Sequence, residues 1–440
     1  MDPFVESVLE EILIKNNDVF GDQIKFMGFE SSTSAPAGAT GFQSNSIRGS
    51  IRYINKTGNL LMSPPLLLKC TPKEKFAAYK ARLIQFTNEI FVYGHVLPFF
   101  SQLEASTQTS GLNEHLFSNT KTCRPQIQTM FPKFYGSSTR THSQSTEVII
   151  ALEDLSHSNY KTAPQKSFLN FAHLSLMARS LGKFHAYSYF AKESNLKLFN
   201  AHAQPLTPIN PMLLDEFPGL LTKIGSRGLI HLISQNEFLS SRPVIQNLLD
   251  NADQLCVRLL RNEHRNKWAV ICHGDYLSTN VLFKYAGDQP IDMKIIDLAM
   301  ATLSSPVIDL SFLLYINADQ ETRDLYWDKL IDEYCNGLSS LSVEVKSLPT
   351  RDDIIKEFHT KAFYAYLVAA IFLAFLLVED MGQHIPSEYL DYELSEIPED
   401  ILVDMIMNLA GETGTKALGD ILKDMLKRGF LNTSDENEQL

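Results

Sequence analysis

The sequence predicts an α+β protein in two lobes, a strand-rich N-terminal unit joined to a larger, mainly helical one. Three observations carry this. Up to about residue 160, short apolar, β-branched runs alternate with one amphipathic helix; beyond about 165, apolar residues recur every three or four positions; and a β-like island interrupts those helices at 268–299. A chain of 440 residues is too long for one simple core and suits two or three packed units. The predicted division is 1–152, 153–430 and a polar tail at 431–440, with a cleft between the lobes.

The elements follow in order. MDPFVESVLEEILIKNN spaces its apolar residues like one helix face, and it is acidic where a signal peptide is basic. Residues 24–30 read as a strand, and the Gly, Ser, Ala and Thr that follow to residue 46 read as a loop. Strands are predicted at 47–55 and 66–70, with a turn at 56–59. Leu83, Phe86, Ile90, Tyr93 and Leu97 predict a helix over 81–97, and TEVIIAL predicts a strand over 146–152. Phe168, Phe171, Leu174, Met177, Leu181 and Phe184 form a helical stripe running to about Tyr189. Later helices are predicted at 307–338, 353–380, 386–409 and 414–429, and no internal repeat is present.

Composition narrows the function. Lys plus Arg total 39 against 51 Asp plus Glu, a net charge of −12, which disfavours a nucleic-acid partner. Five cysteines, all isolated, argue against a disulfide scaffold or zinc site and for a reducing, cytoplasmic setting. Ala362–Val378 carries no charge, but with charged residues close on both sides it reads as a buried core helix, so no membrane partner is predicted.

The sharpest chemical signal is His273-Gly274-Asp275, then Asn280, then Asp297. A loop ending in Asn, a strand, a turn at 286–290 and a return strand ending in Asp make a hairpin. That geometry offers Asn280 and Asp297 as oxygen ligands for one hard cation such as Mg²⁺. Asp275, at the start of the loop, is placed to accept a proton from a hydroxyl nucleophile. Lys69 closes the strand LLLKC, and Glu89 flanks the apolar stripe of the 81–97 helix. An ion pair between them would hold the lysine where nucleotide phosphates bind. The loop with Gly41 and Ser46 offers backbone N–H groups to phosphates, and the Glu153-Asp154-Leu155 hinge offers backbone groups to an adenine edge. Hydrolase, zinc-protease and Walker lysine motifs are absent, and His185 reads as a core histidine.

The run CHGDYLSTNVLFKY…MKIIDLAMATLSSPVIDLSFLLY resembles the ecdysteroid kinase-like family, as do GFQSNSIRGSIRY, LLLKCTP, FTNEIFVYGHVLP and IIALEDL in that order. The family is related to choline kinases and aminoglycoside phosphotransferases. The resemblance covers roughly residues 20–345. It implies a protein-kinase-like fold, an antiparallel N-lobe sheet plus helix over a helical C-lobe, ATP as donor and a small-molecule hydroxyl as acceptor. It also implies Asp275 as catalytic base, Asn280 and Asp297 as metal ligands, Lys69 and Glu89 as the phosphate-positioning pair, and Asp309 as a support for the catalytic loop. The chain departs from the family at Leu277, where Trp is usual, and at Leu298-Ala299, where Phe-Gln is usual. The combined reading is a Mg²⁺- and ATP-dependent kinase acting on an ecdysteroid-like or sterol-like hydroxyl compound. The alternatives are choline-like or xenobiotic acceptors and a nucleotide-binding pseudokinase scaffold.

Overall fold

The computed structural model describes residues 2–32, 45–71, 76–110, 126–141, 146–208, 218–260, 266–378 and 397–431. Gly41 of the predicted phosphate loop, the tail from 432 and the 386–396 part of a predicted helix lie outside them. The chain forms two compact units, Met1–Lys161 with Lys294–Ala299, and Thr162–Met293 with Met300–Leu440.

The first unit is built on an antiparallel sheet. Helix α1 (Pro3–Lys15) starts where Asp2 accepts the N–H of Phe4 at 2.8 Å and Pro3 supplies a preset first turn. Strands β1 (Lys25–Ser31), β2 (Asn45–Ile54), β3 (Leu60–Met62) and β4 (Leu66–Cys70) follow. Helix α2 (Phe76–Phe91), a π-helical turn at Val92–Val96 and helix α3 (Leu97–Ser110) then run end to end. The predicted 81–97 helix is therefore only the middle of a longer element. Pro98 has no N–H to continue an α ladder, and the wider turn before it absorbs that break. Strands β5 (Phe134–Thr141) and β6 (Thr146–Glu153) complete the path β1-β2-β4-β6-β5, with β3 also pairing with β2. Val5, Val8, Leu9, Ile12 and Leu13 of α1 cluster with Ile51, Tyr53, Leu66, Leu68, Ile149 and Ala151 of the sheet. No predicted element covers β5. Its FYGSSTRT has no apolar β-branched run, and as the end strand of this path it needs none.

The second unit is helical around a small β island. Helix α4 (Phe171–Ala203) begins at Asn170, whose side chain accepts the N–H of His173, and Phe168 lies outside it at φ +58°. Helix α5 (Leu220–Ser234) follows. Strand β7 (Val270–Cys272) and the hairpin β8 (Val281–Ala286) and β9 (Gln289–Ile295) come next, and β10 (Thr302–Ser304) pairs with β7. The predicted 307–338 helix is broken in three: α6 (Val307–Ser311), a π-helical turn at Phe312–Ile316, and α7 (Gln320–Leu338), capped by Asp319. Helix α7 packs so closely on α4 that a Cβ at Gly182 would lie 2.0 Å from the Tyr334 carbonyl oxygen, so only glycine fits there. The predicted 353–380 helix is divided into a charged α8 (Arg351–Lys361) and α9 (Phe363–Leu376), which holds most of the apolar stretch, the two bent by 67°. Tyr364, Ala365, Tyr366, Leu367 and Ala369 of α9 are fully buried. Among the described residues no single helix is long and apolar enough to cross a membrane. Helices α10 (Glu399–Asn408) and α11 (Gly411–Lys427) end the described chain, apart from a short segment to 431.

Candidate active site

In the first unit, β4 and α2 bring together the lysine and the carboxylate that the sequence pairs. Lys69 Nζ lies 2.6 Å from Glu89 Oε2 and 3.4 Å from Asp297 Oδ2. The Asp297 contact was not anticipated. It exists because 294–299 belongs to this unit, where Asn88, beside Glu89 on α2, donates its side-chain amide to the Ala299 carbonyl. Burial alone would lower the Lys69 pKa, but the flanking Asp297 and Glu89 hold it well above the ordinary range, so the ammonium stays charged. Burial pushes the Glu89 carboxyl up to about 7 against the opposing pull of Lys69. Two carboxylates share one ammonium, and the buried one bears the cost. Asp297 sits at φ +63°, a left-handed backbone that Asp tolerates better than most residues.

Ser46, in β2, stands directly opposite Lys69 in the sheet register. At the hinge, the backbone N–H of Glu153 donates to the Lys133 carbonyl and that of Asp154 to Pro65, so both donors are engaged within the unit. Leu155 is buried and opens a short 3₁₀ turn that Asp154 caps by accepting the N–H of Ser156. The Asp154 carboxylate also accepts from Arg48 at 2.8 Å.

In the second unit, β7 delivers His273-Gly274-Asp275 into a loop held by buried acceptors. Asp309 is fully buried and accepts the N–H groups of His273 at 2.6 Å and Gly274 at 2.8 Å. Gly274 has φ +82°, and a Cβ there would lie 2.0 Å from the Met300 carbonyl oxygen, so the middle residue of this triplet must be glycine. The Asn280 amide donates to the Asp275 backbone carbonyl and to Asp275 Oδ2, both at 2.9 Å. Both amide hydrogens are thereby committed, and the Asn280 side-chain oxygen is the atom left to act as a ligand.

Sequence reasoning missed the partners of His185. Its ring donates from Nε2 to Asp309 at 3.0 Å, and Nδ1 meets the Tyr334 hydroxyl at 2.9 Å, all fully buried. His185, Cys272 and Asp309 place potential ligand atoms within 4.8 Å of one another. Both histidine nitrogens and both aspartate oxygens are already hydrogen-bonded, however, so the cluster acts as a brace under the 273–275 loop. His185 on α4, Tyr334 on α7, Asp309 on α6 and Cys272 on β7 meet only through packing of these four elements, and no local pattern announces it.

The departures Leu277, Leu298 and Ala299 are all buried, at 4%, 0% and 9% exposure, and replace larger or polar family residues with aliphatic packing.

A unit built on an antiparallel sheet and a mainly helical one give the chain an α+β fold. The chain belongs to the ecdysteroid kinase-like family, whose sequence profile matches residues 39–347, and it is an ATP-dependent small-molecule kinase. No curated protein sequence matches it. Among solved structures it is similar to a microcompartment-associated aminopropanol kinase at 11% identity, covering 97% of this chain and 99% of that one with a TM-score of 0.40. It is also similar to a GDP complex of an aminoglycoside 2'-phosphotransferase-IIIa variant, at 11% identity, 96% and 98% coverage and a TM-score of 0.38.

Proposed function

We propose that the protein transfers the γ-phosphoryl group of ATP to a hydroxyl of an ecdysteroid-like or other sterol-like acceptor, with Asp275 as general base. The observation that carries this is the Asp275 carboxylate, oriented by Asn280 on a loop fixed by Asp309. The carboxylate takes the proton of the acceptor hydroxyl as that oxygen bonds to the γ-phosphorus. The bond from phosphorus to the bridging oxygen breaks, and ADP leaves with the electron pair. Lys69, kept cationic by Glu89 and Asp297, positions the phosphates. Asn280 and Asp297 offer the hard oxygen donors that suit Mg²⁺, which would neutralise phosphate charge when bound. Family membership is what favours an ecdysteroid-like acceptor over a smaller alcohol. The deciding experiment is to assay purified protein with ATP and Mg²⁺ against ecdysteroids, sterols, choline-like alcohols and xenobiotic hydroxyl compounds. Phosphorylation confined to small polar alcohols would reject the acceptor class, and none at all would reject the kinase reading.

Two outcomes follow for the same site. Glu89→Gln leaves Lys69 with Asp297 as its one charged partner, so KM for ATP should rise about tenfold, or about 1.4 kcal/mol. Nucleotide titration calorimetry reads the same loss, and unchanged affinity would detach Glu89 from phosphate positioning. Leu277→Trp restores the indole usual in the family two residues after the base. It should leave KM for ATP nearly unchanged and shift relative kcat/KM between a steroid and a smaller acceptor, by at least the tenfold that about 1–3 kcal/mol of pocket contact produces. An unchanged ratio would make Leu277 a packing residue only.

A further inference from the structure

We propose that Asn317 is a positioning residue for phosphoryl transfer, fixing the downstream half of the catalytic loop as Asp309 fixes the upstream half. The inference rests on the kinase reading above. Asn317 is fully buried, just beyond the π-helical turn. Its side-chain oxygen accepts the N–H of Ser278 at 2.9 Å, and its side-chain amide donates to the carbonyl of Tyr276 at 2.9 Å. One neighbour can only donate and the other only accept, so the orientation of this amide is fixed by chemistry. The two bonds straddle Leu277, whose own N–H donates to the Asp275 carbonyl at 2.8 Å. Asp275 thus lies between two clamps, Asp309 on residues 273 and 274 and Asn317 on 276 and 278.

The backbone of Asn317 is tied as firmly as its side chain. Its N–H donates five residues back to Phe312 at 3.0 Å, and its carbonyl accepts the N–H of Leu169 at 2.7 Å. The five-residue step matters. The π-helical turn adds one residue between Asp309 and Asn317 relative to an α-helix and so rotates Asn317 about 100° around the axis. One short element therefore presents both clamps to a single loop. The Ser278 hydroxyl, bonded to the Lys166 carbonyl, anchors the same segment again. A misplacement on the order of 1 Å of a reacting group costs up to about 100-fold in rate, which is the scale at which such a clamp acts.

The test uses the full chain with Asn317→Asp and Asn317→Leu. Aspartate keeps the volume and the acceptor for Ser278 but removes the donor to Tyr276, and leucine removes both. Turnover, ATP affinity and backbone amide exchange of the 273–280 segment are measured well below each variant's melting temperature. We expect kcat to fall about 10-fold in Asn317→Asp and about 100-fold in Asn317→Leu, with KM for ATP within twofold. Exchange in 273–280 should accelerate at least about tenfold while α4 stays protected. A lowered melting temperature with native kcat would overturn the proposal, as would faster exchange without loss of turnover. Should neither variant fold, the native exchange decides it, since rapid exchange of the Ser278 amide contradicts a clamp. A native protein that phosphorylates nothing overturns the kinase reading and the positioning role of Asn317 together. A native protein that turns over, with variants that match it, overturns only the role of Asn317.

Discussion

Asp275→Asn should lower kcat by roughly two to four orders of magnitude, the usual worth of a positioned general base, while nucleotide affinity stays within about twofold. The substitution is close to isosteric, and the surroundings dictate how the new amide sits. Asn280 donates to Asp275 Oδ2, so the substituted carbonyl oxygen would turn to keep that bond and the new NH₂ group would face away from Asn280. A group that accepted a proton becomes one that can only donate. The loop itself should survive, because Asp309 holds its upstream residues through backbone N–H groups that do not depend on residue 275. Single-turnover kinetics at saturating ATP, paired with calorimetric nucleotide binding, separates the chemical step from binding. Native turnover in this variant would remove Asp275 from the proposed role.

Asp297→Asn should abolish Mg²⁺-supported turnover at millimolar metal. Asparagine keeps the side-chain shape and tolerates φ +63°, whereas alanine there would add about 1–2 kcal/mol of backbone strain to the chemical effect. The change removes the one formal charge in the proposed ligand pair, since Asn280 offers only a neutral carbonyl oxygen. It also takes from Lys69 one of its two carboxylates, the one 3.4 Å away. Turnover measured across a Mg²⁺ titration distinguishes these effects: loss of the metal ligand moves the half-saturation point upward, whereas loss of the lysine contact alone weakens ATP at every metal concentration. An unchanged Mg²⁺ dependence would show that Asp297 does not hold the metal.

Much of the site was legible from one dimension because its parts are locally spaced. His273 to Asn280 is a single loop, and five residues suffice to let Asn280 reach back to the Asp275 carboxylate. The Lys69–Glu89 pair was legible because a helical wheel placed Glu89 at the margin of the apolar stripe, facing the sheet. The strands predicted at 66–70 and 146–152 announced themselves through aliphatic runs, one buried in alternation and the other buried almost throughout.

Residue order alone was enough to place most of the strands and helices, though not β5 or the break at 312–316, and to set an aspartate, an asparagine and a second aspartate one after another along a hairpin. Only the tertiary structure decided what holds them. The contact of Asp297 with Lys69 depends on 294–299 joining the first unit, and the contact of His185 with Tyr334 depends on two helices more than a hundred residues apart packing through glycine, with Asp309 brought to the same ring from α6. Asn317 reaches the loop only because a π-helical turn breaks the 3.6-residue period. Periodicity reports which face of an element is apolar. The orientation of a buried polar side chain is set instead by backbone groups far away in sequence that must find a partner once water is excluded, and no local pattern encodes where those will be.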